Sequence, residues 1–366
     1  MDTLNDRIAR LGPELEERGL DAVLLAAPEH LSNVQVRYLT GFSGSSSYFL
    51  GSRSAAWLLT DFRYVEVAAA EASGYEVVRH ERNYVATLAK VVHEAGLSAI
   101  GFEADRVPVA MLEEWRAALP EVAFQPVGAL MQDMRLVKDS AEIAAIRRAA
   151  ALAGQALEEL LPTIRGLREV DFATALEHRM RELGLDGAGF ATIVASGERG
   201  SLPHGHPTGR VVRDGDMVTV DFGGLSDGYR SDETLTFGVG EVAPRLRQVF
   251  DLVHASQEAG IACVRPGIRA SEVDRTCRDI IAAAGYGDAF GHGTGHGVGL
   301  DVHERPFAAR EPEPGRDDVL APGMTITVEP GIYLPGVGGA RLEDTLVVTQ
   351  DGAERLTTVS KLWRTV

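Results

Sequence analysis

Four carboxylates and one histidine, set in short motifs of the C-terminal half, constrain this chain more than any other feature. They are Asp221 in VTVDFGG, Asp232 in SDETLTF, His296 in GHGTGHGVGLDVHE, Glu329 in TVEPGIY and Glu343 in ARLED. Gathered in one place, four anions repel strongly and persist only where cations neutralise them. Two divalent ions bring four positive charges, which balances four carboxylates. The pattern therefore implies a dinuclear metal site and hydrolysis by a water that the metals make acidic.

The length of 366 residues suggests two domains rather than one. A composition of 45% hydrophobic and 24% charged residues is that of an ordinary globular protein. The formal net charge of -17 argues against nucleic acid, whose phosphates need a basic surface, and against an anionic membrane. The 40 glycines concentrate around 184–240 and 285–340, which suggests tight turns around a site. The two cysteines, Cys263 and Cys277, fall in helical patterns with apolar neighbours, so buried thiols are expected and a disulfide framework is not. The segment MDTLNDRIARLGPELEERG carries acids and lacks a continuous apolar core; it reads as an amphipathic helix and not a signal peptide. No run has the apolar length of a membrane span, and a cytoplasmic location is expected.

The first third alternates strand and helix. A helix over Thr3–Arg18 presents Leu4, Ile8, Leu11 and Leu15 on one face. Ala22–Ala27 follows as a strand, and Tyr48–Leu50 with Ala55–Thr60 as a hairpin around Gly51-Ser52. Phe62–Ser73, Asn83–Ala95 and Val109–Leu119 are expected as helices, and Tyr75–Val78, Ser98–Glu103 and Val122–Gln125 as strands. Such alternation predicts a mostly parallel or mixed sheet covered by helices. A boundary falls near Met131–Asp139, dividing the chain into 1–133 and 134–366.

Beyond it, Asp139 caps a long helix to Leu161, with Glu142 at the capping-box position. Helices over Glu169–Leu183, Pro244–Val264 and Ser271–Ala284 are interspersed with strands at Ala191–Ala195, Met217–Phe222, Tyr229–Val239, Met324–Val328 and Leu342–Thr349. Helix pairs followed by strand groups, twice over, suggest an α+β domain of two similar halves, although no repeat is apparent in the residues themselves.

Alternation of Val218, Val220 and Phe222 with Thr219 and Asp221 fits a half-buried strand. With Leu225–Gly228 as a turn and a returning strand from Tyr229, Asp221 and Asp232 can share a face. Taken singly, each aspartate reads as a turn cap; the downstream motifs favour the metal. His204, His206, His292, His296 and His303 cluster among glycines, where histidines more often line a site. The glycines at 291, 293, 295, 297 and 299 lack the spacing of a nucleotide loop, and Phe307 stands where a zinc HExxH motif needs its second histidine. Glu329 lies at a strand end before Pro330-Gly331. Glu343 lies in a strand with Leu342 and Leu346, either as a ligand or in an ion pair with Arg341. An oxygen-rich set with one imidazole suits Mn²⁺, Co²⁺, Fe²⁺ or Zn²⁺, with manganese the expected ion. Two such ions about 3.5–4 Å apart can hold a water between them.

These motifs resemble the "pita-bread" metallopeptidases, the family of methionine aminopeptidase, aminopeptidase P and prolidase. The C-terminal two-thirds is similar to their catalytic domain. YLTGFSGS and LLTDFRY resemble the creatinase-type N-terminal domain of aminopeptidase P and prolidase, and MRLVKDSAEIAAIRRAA resembles the lead into the catalytic domain. The resemblance implies an α/β N-terminal domain joined to an α+β pita-bread domain. It implies that Asp221 holds one metal, His296 and Glu329 the other, and that Asp232 and Glu343 bridge them. Glu329 would also accept the proton of the bridging water. His204 would contact substrate, His292 would line the pocket beyond the scissile bond, and His303 would stabilise charge on the carbonyl. Arg341 would support the bridging glutamate.

The histidine trio and the N-terminal domain point to the proline-specific branch: removal of an N-terminal residue that precedes proline. The Xaa-Pro bond is a tertiary amide with a rigid ring, which a shaped pocket can select. Leu235 departs from the arginine usual in the family, a change in local support or in surface pairing. The second reading is a strict Xaa-Pro dipeptidase, for which Arg305 or Arg310 could bind the proline carboxylate; plain surface exposure is the alternative for both. A metal-free creatinase-like hydrolase and a non-catalytic binding protein are disfavoured, because all five ligand positions are filled. The expected partner is a peptide with proline second, and a homodimer is expected from the resemblance.

Overall fold

The computed structural model describes residues 4–71, 74–312 and 316–366. They form two compact units, Met1–Arg135 and Leu136–Val366.

The first unit runs α1 (Leu4–Glu17), β1 (Ala22–Ala27), α2 (Val34–Thr40), β2 (Ser47–Ser52), β3 (Ala56–Thr60), α3 (Val65–Glu71), β4 (Glu76–Arg79), α4 (Tyr84–Glu94), β5 (Ala99–Phe102), α5 (Val109–Ala118), β6 (Ala123–Pro126) and α6 (Leu130–Leu136). Its sheet has the order β4-β3-β2-β1-β5-β6. The β1/β2 and β2/β3 pairs are antiparallel, and β3/β4, β1/β5 and β5/β6 are parallel, so the sheet is mixed. The apolar run of β1 is buried almost throughout, as a central strand covered on both faces requires. Helix α2 was not expected. Its N-cap, Asn33, makes no side-chain cap bond, and six of its residues are buried, so packing rather than capping holds it. Thr3 and Ser73, expected helix ends, lie outside the described residues.

The second unit runs α7 (Ser140–Leu160), α8 (Glu169–Glu182), β7 (Gly187–Ala188), β8 (Ile193–Ser196), β9 (Met217–Phe222), β10 (Gly224–Ser226), β11 (Tyr229–Arg230), β12 (Glu233–Gly238), α9 (Pro244–Cys263), α10 (Ala270–Ala283), β13 (Gly295–Gly297), β14 (Glu304–Ala308), β15 (Thr325–Val328), β16 (Gly331–Leu334), β17 (Gly338–Arg341), β18 (Asp344–Val348) and β19 (Ala353–Arg355). Two antiparallel sheets, β12-β9-β8 and β15-β18-β19, are joined by a bridge between Thr234 and Glu343. The main core packs Ala153, Leu157, Phe172, Leu176 and Phe250 from the helices against Val218, Val220, Leu235 and Phe237 from the sheet.

Three expectations need correction. The strand expected over Tyr229–Val239 is two strands: β10 and β11 form a hairpin turned by Asp227 and Gly228, both at positive φ, and β12 then pairs with β9. Glu343 lies outside β18, between two strands. Cys277 is buried as expected, but Cys263 is only partly so; both are free thiols. No helix among the described residues is long and apolar enough to cross a membrane.

The start of α7 is built as expected. The Asp139 carboxylate accepts from Ala141 N and Glu142 N at 2.8 and 2.9 Å, and Glu142 Oε2 accepts from Asp139 N at 2.9 Å. Replacing Asp139 by Ala is expected to lower stability by about 1 kcal/mol. A urea unfolding midpoint indistinguishable from that of the parent protein would contradict this.

Candidate metal centre

The β9/β12 pair sets the first ligands by register. Asp221 pairs with Thr234, and Thr219 with Thr236, so these four polar residues share one face. Val218, Val220, Leu235 and Phe237 take the other face and enter the core. Asp232 precedes β12 and has the parity of Thr234, which turns it toward Asp221. Leu235, opposite Val220, is fully buried in the core, so surface pairing does not describe it.

His296 lies at the centre of β13, drawn tight against β15. A side chain at Gly295 would place its first carbon 1.9 Å from the Thr327 carbonyl, which only glycine avoids. The His296 amide donates to Thr327 Oγ1 at 3.1 Å. Glu329 follows β15, and its amide donates to the Thr294 carbonyl at 2.7 Å. These bonds bring His296 Nε2 within 3.3 Å of Glu329 Oε1 and 3.7 Å of Asp232 Oδ2. Glu343 is held by its bridge to Thr234 and by the Thr234 hydroxyl, which donates to Oε2 at 2.7 Å. Ligand atoms of Asp232, His296 and Glu343 all lie within 4.8 Å of one another.

The ion pair between Glu343 and Arg341, the alternative to a ligand role for Glu343, does not form. Arg341 instead donates to Asp221 Oδ2 at 2.6 Å, and to the Tyr333 hydroxyl and the Pro203 carbonyl at 3.0 Å each. Tyr333, which the sequence motifs did not single out, also lies 2.7 Å from His292 Nε2. The His303 ring stands edge-on to His296, 4.3 Å between centroids. The five ligand candidates, together with His204, His292, His303 and Arg341, line one cavity of about 640 Å³. Phe190, Ile193, Val302 and Phe307 form its apolar wall. Arg305 is held by Asp318 at 3.1 Å and does not line the cavity, nor does Arg310; Arg316 does.

Burial drives the Asp232 and Glu343 carboxyls well above the usual range, and neighbouring carboxylates add to the effect. Burial raises Asp221 as well, although Arg341 opposes it. Glu329 behaves differently: burial pushes it up, but the hydrogen bond and charge of His296 prevail and bring it to about 2. His296 is raised by the same bond against its burial. His292 and His303 are lowered, mainly by burial. The protein alone therefore cannot keep all of these carboxylates ionised, and Arg341 answers only part of their charge. Asp221 Oδ1 and Glu343 Oε1 are buried without a hydrogen-bond partner. Buried orphan carboxylate oxygens beside an imidazole fit divalent cations.

Comparison with known proteins agrees with this chemistry. The model of metallopeptidase family M24 matches residues 144–350, and that of the creatinase/prolidase N-terminal domain matches residues 7–137. The chain belongs to metallopeptidase family M24. A solved Xaa-Pro dipeptidase from Bacillus anthracis is 39% identical, with a TM-score of 0.94 over 100% of both chains. A solved X-Pro aminopeptidase from Thermotoga maritima is 34% identical, with a TM-score of 0.91 over 99% of this chain and 100% of the other. An Xaa-Pro dipeptidase of Pyrococcus horikoshii is 34% identical over 98% of both chains. The M24 fold here is thus a creatinase-type N-terminal domain followed by a pita-bread domain, and members of the family use divalent metals.

Two supports of the M24 site lay outside the sequence motifs. Glu169, fully buried at the start of α8, accepts from Ser196 N and Oγ, Arg199 Nε, and Thr208 N and Oγ1 at 2.7–3.1 Å. It thereby closes the loop that presents His204. Asp274 and Arg278 of α10 do the same for His292: Arg278 donates to the carbonyls of Phe290 and His292, and Asp274 accepts from Thr294. Replacing Glu169 by Gln removes the charge that several donors converge on. It is expected to raise KM on the order of tenfold, with kcat changed much less, on the expectation that the His204 loop meets substrate rather than the reacting water. Steady-state kinetics showing an equal fall in kcat and kcat/KM would contradict that assignment.

Proposed function

We propose that the chain cleaves the peptide bond between an N-terminal residue and proline, with Asp221, Asp232, His296, Glu329 and Glu343 holding two divalent ions. The convergence of these five side chains with His204, His292 and His303 on one cavity carries the reading. In it, residues 134–366 are the catalytic domain and 1–133 the creatinase-like N-terminal domain. Asp221 would hold one ion, His296 and Glu329 the other, and Asp232 and Glu343 would be shared by both. Manganese is the proposed ion, on the oxygen-rich ligand set. Bound there, such ions supply the charge that polarises a carbonyl and acidifies a water.

The remaining work falls to the chain's own residues. Glu329, kept ionised by His296, is the group that takes the proton from the attacking water. His303, held neutral by burial, can donate to the carbonyl oxygen as charge develops on it. His292 and the apolar wall receive the proline ring, which offers no N–H and presents a rigid apolar face. His204 contacts the peptide beyond it. A cytoplasmic homodimer that binds neither nucleic acid nor membrane completes the reading, the net charge of -17 supporting the last two.

A strict dipeptidase is the second reading. The dipeptidase names of two relatives favour it, as does Arg316 at the cavity wall, where it could meet a free proline carboxylate. The X-Pro aminopeptidase of Thermotoga maritima favours the first. Purified protein, stripped by a chelator and reloaded with each metal in turn, should lose cleavage of Xaa-Pro bonds and regain it with Mn²⁺. Cleavage of Xaa-Pro-Xaa supports the aminopeptidase; cleavage of Xaa-Pro alone supports the dipeptidase. Unchanged hydrolysis after complete metal removal would sink both. Glu329→Gln is expected to lower kcat about a thousandfold, within the span typical of a lost general base. A loss of less than tenfold would remove Glu329 from that role.

A further inference from the structure

The residues repeat at the two carboxylates assigned to both ions: Asp232-Glu233-Thr234-Leu235 and Glu343-Asp344-Thr345-Leu346. In each segment the first acid lines the cavity. The threonine two residues on reaches across to the other segment. Thr234 Oγ1 donates to Glu343 Oε2 at 2.7 Å, and Thr345 Oγ1 donates to the Asp232 carbonyl at 2.6 Å. The second acid of each segment points the opposite way, by the alternation of extended chain. Glu233 and Asp344 therefore lie behind the site, each with a side chain only 2% exposed.

Two buried carboxylates at the back of two adjoining strands repel unless a cation joins them. Lys361 is that cation. Its side chain is 4% exposed; its ammonium hydrogen-bonds Glu233 Oε1 and lies 3.5 Å from Asp344 Oδ1. The same C-terminal segment adds Val359 N to Glu233 at 3.0 Å and Thr357 Oγ1 to Asp344 at 2.6 Å. Asp344 also has Arg355 Nε at 3.2 Å and Gln257 Nε2 at 3.1 Å. Glu233 Oε2 has no hydrogen-bond partner, so this carboxylate leans on Lys361 far more than Asp344 does.

We propose that Lys361 is a positioning residue for the metal centre: by clamping Glu233 to Asp344 it sets the separation of Asp232 and Glu343, one residue before each. Without it, nothing ties the Glu233 side chain to Asp344, and the shared ligands in front lose the spacing that the clamp sets. The assignment rests on the two-ion reading above.

Metal-free protein titrated with Mn²⁺ by calorimetry tests it, with melting temperature measured alongside. Lys361→Met is expected to weaken ion binding by about tenfold or more, the range seen when a partner behind a metal ligand is lost. Glu233→Gln combined with Lys361→Met removes the charge that Lys361 answers, and should bring affinity back to within about threefold of the parent. A merely structural lysine would lower the melting temperature without that recovery of affinity. Parent-like affinity in Lys361→Met overturns the proposal, as does a folded double variant that binds as weakly as the single one. If Lys361→Met does not fold, the double variant decides alone: parent-like binding supports the clamp and weak binding overturns it. Failure of the parent protein to bind divalent ions would instead strike the two-ion reading.

Discussion

Carboxylates buried within reach of one another are unfavourable unless positive charge meets them. The unit from Leu136 to Val366 is arranged around that constraint. Asp221, Asp232, Glu329 and Glu343 share one cavity, and the buried arginine beside them, Arg341, is spent on Asp221, Tyr333, Pro203 and Thr234. One histidine steadies Glu329. What remains is a set of oxygens with no protein partner, and in a metallopeptidase family that remainder is the function. On the proposed reading, cations would complete the site and supply the charge that acts on the peptide carbonyl and the water.

The fold meets the geometric demand with ordinary strand alternation. Val218, Val220 and Phe222 of β9 and Leu235 and Phe237 of β12 anchor in the core, so the intervening Thr219, Asp221, Thr234 and Thr236 have one direction left to face. Threonine suits this face because its hydroxyl can bond across a strand gap without adding charge; Thr219 and Thr236 bond each other at 2.9 Å. The imidazole side is built differently. There glycine lets β13 press onto the Thr327 carbonyl, and the close approach fixes where His296 stands. A side chain at Gly295 would displace the histidine from its carboxylates, so that residue is as much part of the site as the ligands.

This division explains which parts were legible in the residues. Met217–Phe222 and the Asp139 cap show their structure locally, one through alternation and the other through a capping box within four residues. The convergence of the four carboxylates and His296 was legible from their residue types taken together, even though they are far apart in the chain. The β13/β14 and β16/β17 hairpins were not legible, since GHG, GIYL and GGAR carry too much glycine for a period-2 pattern. Glu169 was invisible for another reason: its partners lie 27 and 39 residues away, and nothing at position 169 distinguishes a loop staple from a helix-start acid. The paired Asp-Glu-Thr-Leu and Glu-Asp-Thr-Leu segments were legible in principle. They became meaningful only when Thr234 and Thr345 were seen to cross between them.

That repeat divides labour between the two sides of each strand. The rear acids, Glu233 and Asp344, are neutralised by Lys361 and Arg355, cations of the chain itself. The front acids are left for ions from solution. If protein cations answered both sides, the strands would be held together but the cavity would have no charge to offer. A divalent ion that binds the folded site, and not the dispersed ligands of an unfolded chain, would add to the stability of this unit by mass action. On the two-ion reading, the cluster of acids that is costly in the bare fold thus ties the stability of this unit to its cofactor.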